Sequence, residues 1–202
     1  MKTRISKKRK KTKTSIFDFE GKSDRFEIIR ILKNGGIGVM PTDTIYGLVG
    51  SAFSKTAVRR AYRVRRRNSR KPFIILIYST EDLPKFSINL DSALKRKLNR
   101  FWPGKVSVIL PCPNPKFKYL HRGAKSLAFR VPKTSSLRKI LKVTGPLFAP
   151  SANLEGFPPA RNLEEAIEYF GSKVDFYAKG KISDKPSRII YLNALGVKVV
   201  RE

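Results

Sequence analysis

GVMPTDTIYGLVG, residues Gly38–Gly50, sets an apolar strand directly against a polar turn. The run from Ile37 to Met40 reaches Pro41, which has no N–H for a sheet ladder and so favours a strand end. Thr42, Asp43 and Thr44 follow at once. Ile45, Tyr46 and Gly47 come next, and the glycine leaves room for a close backbone approach. A buried strand that opens into a polar loop is where open α/β sheets bind ligands. Taken alone, the same residues also describe an ordinary turn in which Thr42 bonds the backbone.

Upstream of this stretch, Asp24 with Glu27 reads as a capping box. It opens a helix with Phe26, Ile28, Ile29, Ile31 and Leu32 on its apolar face and Gly35 as its stop. Downstream, Ser54 caps a second helix whose inward residues are Ala57, Val58, Ala61, Tyr62 and Val64. It ends in a basic run, Arg63–Lys71, which by itself suits the negative end of a helix dipole. Phe73–Tyr78 (FIILIY) reads as a strand buried on both faces. Asp91 opens a helix carrying Leu94, Leu98, Phe101 and Trp102. Strands are expected at Val106–Leu110, Ser126–Val131, Leu147–Ala149, Val174–Ala178, Arg188–Leu192 and Val197–Arg201, and helices over 135–142 and from Asn162 to Phe170. Strands alternating with helices predict a single α/β domain, a twisted mixed sheet with flanking helices, and no internal repeat is found.

A length of 202 residues with 41% hydrophobic content allows one domain with a real core. The net charge of +29, from 44 basic against 15 acidic residues, points to polyanion partners such as nucleic acid. Residues 1–22 are expected to be a basic, disordered tail and residues 23–202 the folded domain. The tail is either an arm for RNA or a solubilising extension. A lone Cys112 excludes an internal disulfide and suits a reducing cytosol, and with a lone His121 it leaves no His/Cys metal cluster. Apolar runs are too short to span a membrane, and no secretory h-region follows the basic start. The expected localisation is therefore cytoplasmic.

Polar groups stand just beyond strand ends: Thr42, Thr44, Arg67, Lys71, Arg130, Ser151, Asn153 and Ser187. No phosphate-binding GxxxxGK[ST] occurs, no Ser–His–Asp set exists, and acidic residues are too scarce for paired-carboxylate chemistry. A site that holds anions with guanidinium, hydroxyl and amide groups fits better.

MPTDTIYGL, R-x-R with Pro72 downstream, FWPGKVSVIL, AFRVP and APSANLEG occur in the order shown by the YrdC/Sua5 family, which this chain resembles from about Phe26 onward. The resemblance implies a YrdC-like domain with a large basic cavity. It also implies synthesis of L-threonylcarbamoyladenylate from L-threonine, bicarbonate and ATP, with release of pyrophosphate, for the tRNA modification t6A. By motif position, Thr44, Arg130, Ser151 and Ser187 should bind threonine, with Arg130 on its carboxylate. Arg65 and Arg67 match the family's K-x-R pair as catalytic residues. Arg67, Lys71, Ser126, Asn153, Arg161 and Arg201 should bind ATP. Magnesium is expected on the phosphates and no protein metal site is expected.

The implied partners are tRNA or other RNA at the basic surface and a separate tRNA threonylcarbamoyl-transferase. Arg65 stands where the family has lysine, Leu76 where histidine is common, and Arg188 where threonine is usual. Glu202 takes the place of a glycine. The additional domain of the long Sua5 form has no counterpart, so the likeness is to the short YrdC form. The alternative reading is a non-catalytic double-stranded RNA, tRNA or ribosome binder on the same fold.

Overall fold

In a computed structural model, which describes residues 14–68, 70–193 and 196–202, the predicted strand at Gly38 is one arm of a hairpin. Strand β2 (Ile37–Pro41) pairs antiparallel with β3 (Tyr46–Ser51), with Val39 opposite Leu48 and Pro41 opposite Tyr46. Here β1 is the strand Ser15–Asp18, and helix α1 spans Lys22–Lys33. The chain continues through α2 (Lys55–Val64), β4 (Ile75–Leu76), α3 (Ser92–Leu98), β5 (Val106–Pro111), α4 (Lys118–His121), β6 (Ser126–Arg130) and α5 (Ser135–Thr144). It closes with β7 (Leu147–Phe148), α6 (Leu163–Phe170), β8 (Phe176–Lys179), β9 (Arg188–Asn193) and β10 (Gly196–Arg201).

Together the strands make one mixed sheet in the order β1-β8-β2-β3-β7-β4-β6-β5-β9-β10. Because side chains alternate across a strand, the register sorts residues onto two faces. Ile75, Phe129, Val108 and Ile190 lie side by side on one face, in the core that α2, α3, α4 and α6 cover. The other face carries Met40, Val49, Leu76, Leu147 and Phe176 beneath α1 and α5, through Ile28, Leu32, Leu137 and Ile140. That second helical layer covers the sheet from β8 to β4. Beyond Leu76, the face continues as Arg130, Ser107, Ile189 and Arg201, with no helix of this layer packed on it.

Close packing at the hairpin explains one glycine. A Cβ at Gly38 would fall 2.2–2.5 Å from three atoms of the Phe176 ring. Gly38→Ala is therefore expected to destabilise the domain by about 1–3 kcal/mol through overpacking. It should be read as a lower urea midpoint with an unchanged slope.

Local signals translate directly. The side chains of Ser54, Asp91 and Asn162 accept hydrogen bonds from Ala57 N (3.1 Å), Leu94 N (2.6 Å) and Glu165 N (2.8 Å), capping α2, α3 and α6. Other expectations need correction. The tail assigned to residues 1–22 contains β1, which pairs parallel with β8, and Phe17 packs against Phe176. Alternation in the short SIFDF run supplies that strand, and the neighbouring like-charge block obscures it. Met1–Lys13 lie outside the described residues.

The capping box is not formed. Gly21 is the N-cap of α1, Asp24 accepts from Asp18 N, and Glu27 pairs with Arg30 at 2.7 Å. Phe26, placed on the apolar face, is 67% exposed. Within FIILIY only Ile75–Leu76 is strand, because Tyr78 N turns away to bond Asp82 Oδ2 at 2.8 Å. Among the described residues no helix is long and apolar enough to cross a membrane.

Candidate active site

The uncovered sheet face ends in a cleft with about 470 Å³ of open space, walled by Thr44, Arg130, Ser151, Ser187 and Arg201, with Tyr46 beside them. The polar turn between β2 and β3 forms one wall. Thr42 Oγ1 donates to Ile45 O at 2.7 Å, lies 2.9 Å from Thr44 Oγ1 and accepts from Thr44 N at 3.2 Å. These bonds fix Thr44 against the cleft. The segment that follows β8 crosses over this turn. Ser183 N donates to Thr44 O, and Tyr46 Oη donates to Gly180 O at 3.0 Å. The crossing brings Ser187 to the cleft, where its hydroxyl lies 2.9 Å from Ser107 Oγ. Arg201 reaches back from β10 and donates to Ser187 O at 2.6 Å.

Arg130, at the end of β6, is buried except where it meets the cleft and stands 3.1 Å from Asp43 Oδ1. Burial pulls its guanidinium below the usual range, Asp43 opposes that shift, and Arg201 adds to it. Asp43 Oδ2 also accepts from Lys133 N at 3.3 Å. Arg130 Nε is buried without an acceptor among the described residues, which leaves a charge-assisted donor unsatisfied at the cleft wall.

A second polar cluster adjoins through Ser151. Arg65, just past the end of α2, is 1% exposed and donates from Nε to Asn153 O (3.0 Å) and from Nη2 to Asn153 Oδ1 (2.7 Å). Ser151 Oγ donates to the same Oδ1 at 2.7 Å. Burial first, and the neighbouring Arg67 second, bring the Arg65 pKa down to about 10, so it stays charged near neutral pH. The guanidinium groups of Arg65 and Arg67 lie 5.9 and 5.8 Å from the centre of the Phe73 ring. Lys71 pairs with Glu155 at 3.1 Å.

Among the residues singled out from sequence, Thr44, Arg130, Ser151, Ser187 and Arg201 meet in one cleft, with Arg65 and Asn153 bonded to its rim. Arg65, expected from the R-x-R pair to be a catalytic residue, is buried and bonded to the Ser151–Asn153 turn. Ser126 begins the strand that Arg130 ends and does not line the cleft. Arg161 lies outside too, held by Glu165 at 2.9 Å, but it lines an adjoining recess that shares Ile45, Pro159 and Pro186 with the cleft. Sequence reasoning gave no role to Ser107 or to the Asp43–Arg130 pair. A serine inside the apolar run VSVIL was the available sign of the first. Nothing local marks the second.

An open-sheet cleft lined by two guanidinium groups and several hydroxyls makes an α/β domain chemically suited to a small anion. Comparisons with known proteins agree. The Sua5/yciO/yrdC family model, described as Telomere recombination, matches residues 30–202, and the chain belongs to this family. It is 33% identical over 165 residues to the threonylcarbamoyl-AMP synthase of Hahella chejuensis, covering 80% of this chain and 89% of that one. It is 29% identical over 150 residues to the threonylcarbamoyl-AMP synthase of Pyrococcus abyssi, covering 74% of this chain but 44% of the relative, so it spans less than half of that protein. A structure of Pyrococcus abyssi Sua5 complexed with L-threonine superposes with a TM-score of 0.84 at 25% identity, over 93% of this chain and 57% of that one.

Proposed function

We propose that the chain is an L-threonylcarbamoyladenylate synthase that serves tRNA t6A modification. The carrying observation is the single cleft that gathers Thr44, Arg130, Ser151, Ser187 and Arg201 in a member of this family. The relative from Pyrococcus abyssi is known with L-threonine bound, which supports the same amino acid here.

In this reading the Arg130 guanidinium takes the threonine carboxylate, and Thr44, Ser151 and Ser187 orient its hydroxyl and amine. The amine joins bicarbonate to give a carbamate and water. A carbamate oxygen then attacks the α-phosphorus of ATP, the bond to the β-phosphate oxygen breaks, and pyrophosphate leaves. The adjoining recess beside Arg161 takes the nucleoside, while Arg201 in the cleft, together with Arg67 and Lys71 from the loop after α2, supplies positive charge for the phosphates. Ser126 remains assigned to ATP through the open sheet face it shares with Arg130. Such chemistry calls for fixed positive charge and orientation rather than a strong base.

Among the described residues no three His, Cys, Asp or Glu side chains stand together as a metal cage. Magnesium would therefore enter as part of the ATP substrate, on its phosphates. The partners in this reading are tRNA or other RNA and a separate threonylcarbamoyl-transferase, in the cytoplasm. A net charge of +29 supports the RNA contact and also a binding-only reading.

Pyrophosphate release with ATP, bicarbonate and threonine, against serine, tests the proposal. Arg67→Ala is expected to lower that release by about 10²-fold or more, as loss of a charge-stabilising donor does, with RNA retention nearly unchanged. If retention falls while turnover persists, the binding-only reading replaces the enzyme.

A further inference from the structure

The layer on the opposite side of the sheet from the cleft carries a second concentration of charge. A groove with about 800 Å³ of open space is lined by Lys55, Arg70, Lys116, Lys118 and Arg122 around the ring of Tyr119, with no Asp or Glu in its wall. Three separate segments converge there: the first residue of α2, the loop after α2, and α4 together with the turn before it and its C-cap Arg122. Lys55, Arg70, Lys116 and Lys118 are exposed, and none takes part in an ion pair among the described residues.

Local electrostatics would not assemble this set. Lys55 opens the ten-residue helix α2, whose first turn has no acidic residue, so its charge opposes the helix dipole. Like charges gathered in one groove add to that cost, and a bound polyanion removes both penalties. Aromatic rings lie against Lys55, Lys116 and Arg122. Lys55 Nζ lies 5.6 Å from the centre of Tyr119, and Arg122 lies 4.7 Å from the centre of Tyr62. Both rings are tied down, Tyr119 Oη to Ala52 O at 2.9 Å and Tyr62 Oη to Lys71 O at 2.8 Å.

The geometry points to a docking groove for the phosphodiester backbone of a nucleic acid, separate from the threonine and ATP cleft. It rests on the proposed function only in naming RNA rather than DNA as the source of that backbone. Exposed lysine and arginine side chains gathered in one groove suit phosphate contacts, which position a strand rather than read its sequence.

The test is fluorescence anisotropy of the full chain with a labelled RNA duplex and a DNA duplex of equal length, across a salt series. Lys55→Ala/Lys116→Ala/Lys118→Ala is compared with Lys33→Ala/Lys139→Ala/Lys142→Ala, which removes the same charge from the exposed surface of α1 and α5. The groove variant should weaken binding about 10-fold or more and flatten the log–log salt slope by about two to three, since each lost phosphate contact removes nearly one. The control should lose less than about two-fold, because surface charge outside the contact acts only through the screened general field. Weaker binding of RNA than of DNA by the unaltered chain would reassign the source to DNA and overturn the RNA assignment. Equal weakening by the two variants, or none by the groove variant, overturns the groove. Lys118→Glu serves as a second probe and should weaken binding further. Threonine-dependent pyrophosphate release should be unchanged in the groove variant. Loss of the groove with retained release removes this inference alone, whereas absent release in the unaltered chain removes the enzyme reading.

Discussion

Arg130→Leu is expected to abolish threonine-dependent pyrophosphate release and to destabilise the fold by about 3–5 kcal/mol, the cost of stranding one member of a buried ion pair. Asp43 lies 3.1 Å away with both side chains almost fully enclosed, so removing the guanidinium leaves a carboxylate with only the Lys133 amide as partner. The two consequences separate in the double variant Arg130→Leu/Asp43→Asn. Neutralising Asp43 should restore much of the urea midpoint, because no uncompensated charge remains. It should not restore release, because nothing then meets the threonine carboxylate. Arg130→Lys should also fail, since a point charge can not hold Asp43 and a carboxylate with the two-edged geometry of a guanidinium. Release within about ten-fold of the unaltered chain, or about 1.4 kcal/mol of transition-state stabilisation, in Arg130→Leu would remove Arg130 from the site.

What was legible in the sequence follows the range of the interaction involved. Ser54, Asp91 and Asn162 were readable as caps because a cap is settled within three residues. Thr44, Arg130, Ser151 and Ser187 were readable as candidates because they stand near strand ends and fall within motifs in the family's order. Their meeting in one cleft required the register, which places Arg130 beside Leu76 and Ser107 beside Ile189. Pairing of that kind joins segments far apart in the chain and leaves no local mark. The strand at Ser15–Asp18 was missed because the neighbouring like-charge block obscures its short run, and its partner β8 lies far along the chain. Arg65 shows the limit from the other side. Its place in an R-x-R pair suggests a catalytic residue, yet a turn from a distant segment supplies acceptors that draw it inward and bury it.

That burial makes Asn153 the residue on which the second wall depends. Its Oδ1 accepts from both Arg65 and Ser151 at 2.7 Å, and its Nδ2 donates to Leu154 O at 2.9 Å and Phe157 O at 2.7 Å. Asn153→Ala therefore removes four hydrogen bonds at once and leaves a buried guanidinium whose Nη1 already lacks an acceptor among the described residues. A loss of about 2–4 kcal/mol is expected, because stranded buried donors, and charged ones above all, cost more than an average hydrogen bond contributes. Asn153→Asp distinguishes the bracing of Arg65 from the shape of the turn. A carboxylate still accepts from Arg65 and Ser151, and with added charge, but it can not donate to the two carbonyls. Its urea midpoint should lie between those of the unaltered chain and Asn153→Ala. Pyrophosphate release should be lost in both variants, since Ser151 loses its orientation in one and negative charge meets the phosphates in the other. If Asn153→Ala unfolds within about 0.5 kcal/mol of the unaltered chain, the range of ordinary surface substitutions, the turn is held by its backbone and Arg65 is no brace.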